Sequence, residues 1–117
     1  MRATLDDRLR HIMRAINDIR ALLAGKTLVA LERDGVARAA FERYVEIISE
    51  ASRHIPEELK ARYPLIPWSD IAGVGNHIRH AYDGVDLEIL WNVYLYELDA
   101  LEAAVKAFAS SAGEGSP

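Results

Sequence analysis

Residues 4–25 of the chain read TLDDRLRHIMRAINDIRALLAG. Apolar side chains recur in this segment at alternating spacings of four and three, at Leu5, Leu9, Ile12, Ile16, Ile19 and Leu23. That spacing places them on one face of an α-helix. Thr4 is expected to cap the beginning of the helix, and Gly25 is expected to end it. An apolar stripe of roughly 28 Å suits a helix that packs along a long partner, either within the chain or in a second copy.

The same helical periodicity continues through the rest of the sequence. It predicts four further helices. The first of these begins near Thr27, or near Val36 if the chain breaks at 34–35, and ends just before Pro56, where a short helix begins. The other two run from about Trp68 to near Ala81 and from Asp86 to Phe108. Leu65 and Ile66, in the connector between Pro64 and Pro67, are expected to reach the core. No strand pattern is present, so the predicted fold is an all-α, up-and-down bundle of four to five helices.

The length of 117 residues fits one domain, which we place at residues 1–108. Residues 109–117 are rich in Ser, Gly and Ala and are expected to form a flexible tail. The absence of cysteine excludes disulfides, thiolate metal sites and a cysteine nucleophile. No signal peptide is recognisable, and no apolar run approaches the ~20 residues of a membrane span. We therefore expect a cytoplasmic protein without membrane association.

The net charge is −4, from 14 basic and 18 acidic side chains. This balance opposes non-specific binding to nucleic acid, which depends on Lys and Arg neutralising phosphates. Arginines are nevertheless frequent on the first two predicted helices, at Arg8, Arg10, Arg14, Arg20, Arg33, Arg38, Arg43 and Arg53. Two interpretations stay open for them, a set of solvated helix faces or a stripe that faces RNA.

Residues 75–82 read GNHIRHAY and concentrate groups that can transfer a proton or bind a phosphate. Side chains three and four apart are neighbours on a helix surface, so His80 is expected beside Asn76 and His77. The turn dipeptide Asp83-Gly84 is expected to end the helix just after them. A helix C-terminus favours the protonated form of histidine, which suits acid–base chemistry near neutral pH.

The same segment has plainer interpretations. His80 can be a structural histidine, and His77 with His80 has a spacing that suits a metal, but no third ligand is apparent. We therefore predict no metal and no other cofactor. Gly73 and Gly75 each weaken a helix by about 1 kcal/mol relative to alanine, so they predict the close approach of another backbone or of a ligand.

A series of landmarks along the chain resembles the HepT-type branch of the HEPN superfamily: 46–51 (EIISEA), 63–68 (YPLIPW), 76–82 (NHIRHAY), 84–86 (GVD) and Trp91. The resemblance covers nearly the whole chain, to about Leu101. It implies a small helical bundle that forms a homodimer. It also implies the toxin of a type VII-like toxin–antitoxin module, which cleaves RNA without a metal. The partner implied is a minimal nucleotidyltransferase (MNT) antitoxin, which blocks the toxin by transferring AMP to a tyrosine.

Carried over by position, the resemblance makes His80 the acid–base residue and Tyr82 the acceptor of AMP. Asn76 matches the polar residue that follows the family's arginine, and that arginine falls on Gly75. The missing cation would have to come from Arg79, from His77 or from an arginine on another helix. Two other interpretations remain, a catalytically degenerate protein that binds the nucleotidyltransferase and a bundle with a purely structural role.

Overall fold

The computed structural model describes residues 3–81, 84 and 86–114. These residues form α-helices and no β-strand, which confirms the predicted all-α class. The seven helices are α1 (Leu5–Leu23), α2 (Leu28–Arg33), α3 (Gly35–Ser52), α4 (Glu57–Lys60), α5 (Trp68–Arg79), α6 (Leu87–Tyr96) and α7 (Leu98–Glu114).

The apolar stripe of α1 forms the centre of the core. Its members from Leu9 to Leu23 are almost completely buried, and Leu5 packs against them at the edge. Helix α1 contacts α3 on one side and α7 on the other. The long partner expected for this stripe is therefore present within the chain.

Both predicted ends of α1 are confirmed. The Thr4 N–H donates to Asp7 Oδ2 at 3.0 Å, and the Asp7 N–H donates to Thr4 Oγ1 at 3.1 Å, which forms a capping box. The backbone hydrogen bond from Thr4 lowers the pKa of the Asp7 carboxyl. At the other end Gly25 has a φ of 73°, a left-handed conformation that glycine adopts without strain.

The helix count exceeds the prediction because two predicted helices are each divided. Both candidate starts of the second helix are used, since Thr27 caps α2 and Asp34 caps α3. The single helix predicted from Asp86 to Phe108 is wrong, because the chain turns at Glu97. The turn lets α6 contact α2 while α7 contacts α1, and one straight helix could not follow both directions. Helix α7 then continues to Glu114, so the predicted tail begins as helix.

The connector before α5 departs from the prediction at one position. Ile66 is buried, as expected, but Leu65 is 97% exposed. The Ile66 N–H donates to the Tyr63 carbonyl at 3.2 Å, and the resulting turn directs the two neighbouring side chains away from each other. Among the described helices, none has the length and apolar content of a membrane span.

Ser49 on α3 holds α5 in place. Its hydroxyl accepts a hydrogen bond from the Gly75 N–H at 3.0 Å and donates one to the Ala72 carbonyl at 2.8 Å. Arg53 Nη2 donates to the same carbonyl at 3.0 Å. Ser49 is buried, and these two bonds give its hydroxyl the partners that a buried polar group requires.

This contact explains one of the two glycines of α5. A Cβ at Gly75 would lie 2.6 Å from Ser49 Oγ and 3.0 Å from Ser49 Cβ. At Gly73 no described atom outside the local helix lies within 4 Å of such a Cβ. At Gly75 the close neighbour is therefore a side chain and not the backbone that was predicted, and at Gly73 no described protein atom approaches.

We expect Gly75→Ala to lower the free energy of unfolding by about 1–3 kcal/mol, because α3 and α5 must move apart to admit the methyl group. Gly73→Ala is the matched control on the same helix, and it should raise the free energy of unfolding by about 0.4–1 kcal/mol through the loss of chain entropy in the unfolded state. Urea unfolding measures both. Equal stability of the two variants would contradict the assigned packing.

Candidate functional site

The polar cluster lies at the C-terminal end of α5. The helix ends at Arg79, close to the predicted end, and His80 is the capping residue. The His80 N–H donates to the Asn76 carbonyl at 3.1 Å, which places these two residues one turn apart. Tyr82 and Asp83 lie outside the described residues, so the candidate AMP acceptor is located only by its sequence distance from His80.

The side chains of Asn76 and His80 are both exposed. Within the described part of the chain, neither makes a side-chain hydrogen bond or an ion pair. Both are therefore available to a molecule that approaches the end of α5. A histidine can accept or donate a proton near neutral pH, and an amide can orient a ligand oxygen.

His77 has a structural contact with the beginning of α6. The Asp86 N–H donates to His77 Nε2 at 3.4 Å, and Asp86 in turn caps α6 by accepting from the Glu88 N–H at 3.1 Å. His77 thus joins the end of α5 to the beginning of α6.

Arg79 supplies a positive charge near the position that the family arginine would occupy. Its Nη1 lies 3.5 Å from the point where a Cβ of residue 75 would be, so the side chain folds back by one helical turn. Arg79 also lines a cleft of about 290 Å³ with residues of α1 and α3, among them Arg8 and His11.

The structure therefore divides the predicted site residues among three directions. His80 and Asn76 face solvent at the end of α5, His77 faces α6, and Arg79 faces α1 and α3. Helical spacing predicted that Asn76 and His80 lie one turn apart, as they do, and His77 has a contact of its own with the Asp86 backbone. Within the described residues no three His, Asp or Glu side chains are grouped closely enough to hold a metal ion.

Ser49 shapes the site, although no sequence pattern pointed to it. It follows the buried Ile48 on a face of α3 whose buried residues, apart from Ser49 and Ser52, are apolar. A small hydroxyl in such a face is the available signal, because a buried hydroxyl requires a hydrogen-bond partner on a neighbouring element. It does not reveal that the partner is the backbone of α5.

Comparison with known proteins adds an independent observation. The sequence model of a family described as "Ribonuclease HepT-like" matches residues 12–108. The chain is 34% identical over 98 residues to "Putative RNase TTE0752" of Caldanaerobacter subterraneus subsp. tengcongensis, which covers 84% of this chain and 88% of that relative. It is 38% identical over 69 residues to "Probable ribonuclease HepT" of Thermococcus cleftensis, covering 59% of this chain and 63% of that relative.

A third relative, "Putative RNase MJ1380" of Methanocaldococcus jannaschii, is 28% identical over 98 residues, which is 84% of this chain and 90% of the relative. No solved structure gives a significant match. The similarity to these proteins covers α3 and α5 together with most of α1 and α7.

Proposed function

The chain belongs to the HepT-like ribonuclease family, and from this membership we propose that it is a metal-independent RNA endonuclease whose acid–base residue is His80. The observation that carries the proposal is the position of His80 at the end of α5. Its ring is exposed and unpaired within the described residues, and it lies one turn from the equally free amide of Asn76.

The chemistry follows from the substrate. In RNA the 2′-hydroxyl attacks the neighbouring phosphorus, a base accepts its proton, and an acid protonates the departing 5′-oxygen. The products are a 2′,3′-cyclic phosphate and a 5′-hydroxyl. His80 can serve as the base or as the acid. We propose a homodimer in which the two His80 residues divide these roles.

Arg79 is proposed as the cation that stabilises the phosphoryl oxygens in the transition state. Ser49 excludes a side chain at residue 75, and the Arg79 guanidinium lies beside that position, with its Nη1 3.5 Å from where a Cβ would be. A cation held beside the charge that develops in the transition state makes one of the largest single contributions to the rate enhancement of such a reaction. Asn76 is proposed to orient a phosphate or sugar oxygen beside His80.

Control by an MNT antitoxin is proposed through Tyr82. The Tyr82 hydroxyl attacks the α-phosphorus of ATP, pyrophosphate leaves, and the hydroxyl proton passes to a base of the transferase. The bound AMP adds a negative phosphodiester two residues from His80. Its charge repels the phosphates of RNA and its nucleoside obstructs the approach to the ring.

A second candidate function rests on Gly75. The family arginine is absent there, and the contact with Ser49 leaves no room for it in this packing. A protein without a competent cation would be a non-catalytic binding partner of the transferase that still carries the AMP acceptor. The two functions differ in whether substitution of Arg79 changes the rate of RNA cleavage.

We expect His80→Ala to lower the rate of RNA cleavage by a factor of about 10²–10⁴, the usual contribution of a general acid or base. The measurement is single-turnover cleavage of a labelled oligoribonucleotide in the presence of EDTA. His54→Ala removes another exposed histidine and should retain the wild-type rate. Full activity of His80→Ala would refute its assignment as the acid–base residue.

We expect Arg79→Gln to lower kcat by a factor of about 10²–10³, because the phosphoryl charge loses its cation. Arg79→Lys keeps the charge and should recover part of that loss. Arg62→Gln removes an exposed arginine whose side chain makes no hydrogen bond or ion pair in the described residues, and the kcat of this variant should not change. The non-catalytic function would be favoured if the wild type cleaved RNA at a negligible rate and the Arg79 variants did not change that rate.

We expect incubation with the cognate nucleotidyltransferase and ATP to add the mass of one or more AMP groups. Tyr82→Phe should abolish the addition because the acceptor oxygen is gone. Tyr96→Phe is the control, since Tyr96 is 72% exposed on α6 and should leave the modification intact. Intact-mass spectrometry measures all three proteins. Persistent modification of Tyr82→Phe would place the acceptor elsewhere.

A further inference from the structure

Two adjoining clefts run along the seam between α1 and α3. One, of about 290 Å³, is lined by Arg8, His11, Arg43 and Arg79 among other residues. The next, of about 450 Å³, is lined by His11, Arg14 and Arg43 among others. Because His11 and Arg43 belong to both, the clefts form one continuous depression. We call it the basic groove and define it by Arg8, His11, Arg14, Arg43 and Arg79.

The acidic side chains of this groove are largely paired. Glu46 accepts a hydrogen bond from Arg43 Nη1 at 2.7 Å, and Glu50 lies 3.3 Å from His54 Nε2. Asp18 is the third acidic residue of the lining. Positive side chains therefore outnumber negative ones here, although the whole chain has a net charge of −4.

The arginines of α1 fall into two classes. Arg10 forms an ion pair with Asp7, and Arg20 bonds to Asp99 and Glu102 at 2.6 Å each. Arg8 and Arg14, which open onto the groove, form no ion pair within the described part of the chain. In the groove itself Arg43 is paired with Glu46, whereas Arg8 and Arg14 remain available to a ligand.

Arg8 adds a more specific indication. Its Nε is buried, and no hydrogen-bond acceptor lies within reach among the described atoms. A buried donor without a partner costs about 1–3 kcal/mol. An anion in the groove would reduce the repulsion among the neighbouring guanidinium groups, and a phosphate matches the planar donor geometry of arginine.

The spacing of the groove suits a strand of nucleotides. Arg8, His11 and Arg14 recur every three residues on α1, so the outer two lie ~9 Å apart along the helix axis. A helical nucleic-acid strand advances ~3.4 Å per nucleotide, so this distance spans two or three phosphates. At one end the groove reaches Arg79, whose neighbour in the chain is His80.

From these observations we infer that the basic groove binds the phosphate backbone of the RNA strand and leads it to His80 at the end of α5. The inference rests on the proposed endonuclease function and deepens it by placing the substrate on α1 and α3. The negative charge of the rest of the surface confines the strand to the groove.

The test measures RNA binding directly, in full-length protein that carries His80→Ala so that the strand is not cut. A fluorescent single-stranded oligoribonucleotide is titrated at several salt concentrations. The groove variant Arg8→Gln/Arg14→Gln is compared with Arg33→Gln/Arg62→Gln, which removes the same charge from exposed positions outside the groove.

We expect the groove variant to raise Kd by about 10-fold or more and to reduce the slope of log K against log salt by about 1.4, which is ~0.7 for each lost phosphate contact of a single strand. The control pair should change both quantities much less. With His80 restored, the groove variant should raise KM while kcat is retained. Urea unfolding establishes that all the variants remain folded.

Equal effects of the two double variants would overturn the inference, because they would reflect net charge alone. Unchanged RNA binding with an altered sedimentation coefficient would also overturn it and would make this face a contact between copies of the chain. If RNA binds through the groove but the wild type does not cleave it, the endonuclease proposal is wrong and the inference that the groove binds RNA is supported. If the wild type neither binds nor cleaves RNA, both are wrong.

Discussion

The contact between Ser49 and Gly75 determines where the functional side chains of α5 can lie. The Ser49 hydroxyl bonds to two backbone groups of α5 and occupies the space that a side chain at residue 75 would need. The helix can approach α3 this closely only with glycine at that position. Arg79 folds back by one turn beside this glycine, with its Nη1 3.5 Å from where a Cβ of residue 75 would be. The contact between the two helices thus lies next to the charge proposed for catalysis.

The two sides of α5 have different physical roles. On one side His77 accepts a hydrogen bond from the Asp86 backbone and ties α5 to α6. On the other side Arg79 reaches the groove between α1 and α3. His80 lies between these directions at the helix end, where its ring is exposed. This separation lets one short helix bear a structural histidine, the histidine proposed for catalysis and an arginine without their competing for the same partners.

Local sequence signals predicted much of the fold. These signals are the capping residues Thr4 and Asp34 and the apolar stripe on α1. Each depends on residues close by in the chain, so it can be predicted from the sequence. Predictions that depended on distant neighbours were less successful. Leu65 is exposed and the last helix breaks at Glu97, because each outcome depends on which helix lies alongside.

For the candidate site, the sequence by itself determined the residue types, their order and the end of the helix that carries them. It placed His80 one turn from Asn76, because the helical repeat is a local property of the backbone. Only the tertiary structure decided that Arg79 faces α1 and α3, that His77 does not, and that arginines from three helices line one groove. Helical periodicity defines the faces of each helix, but which faces meet is set by the packing of the whole core around α1 and α3.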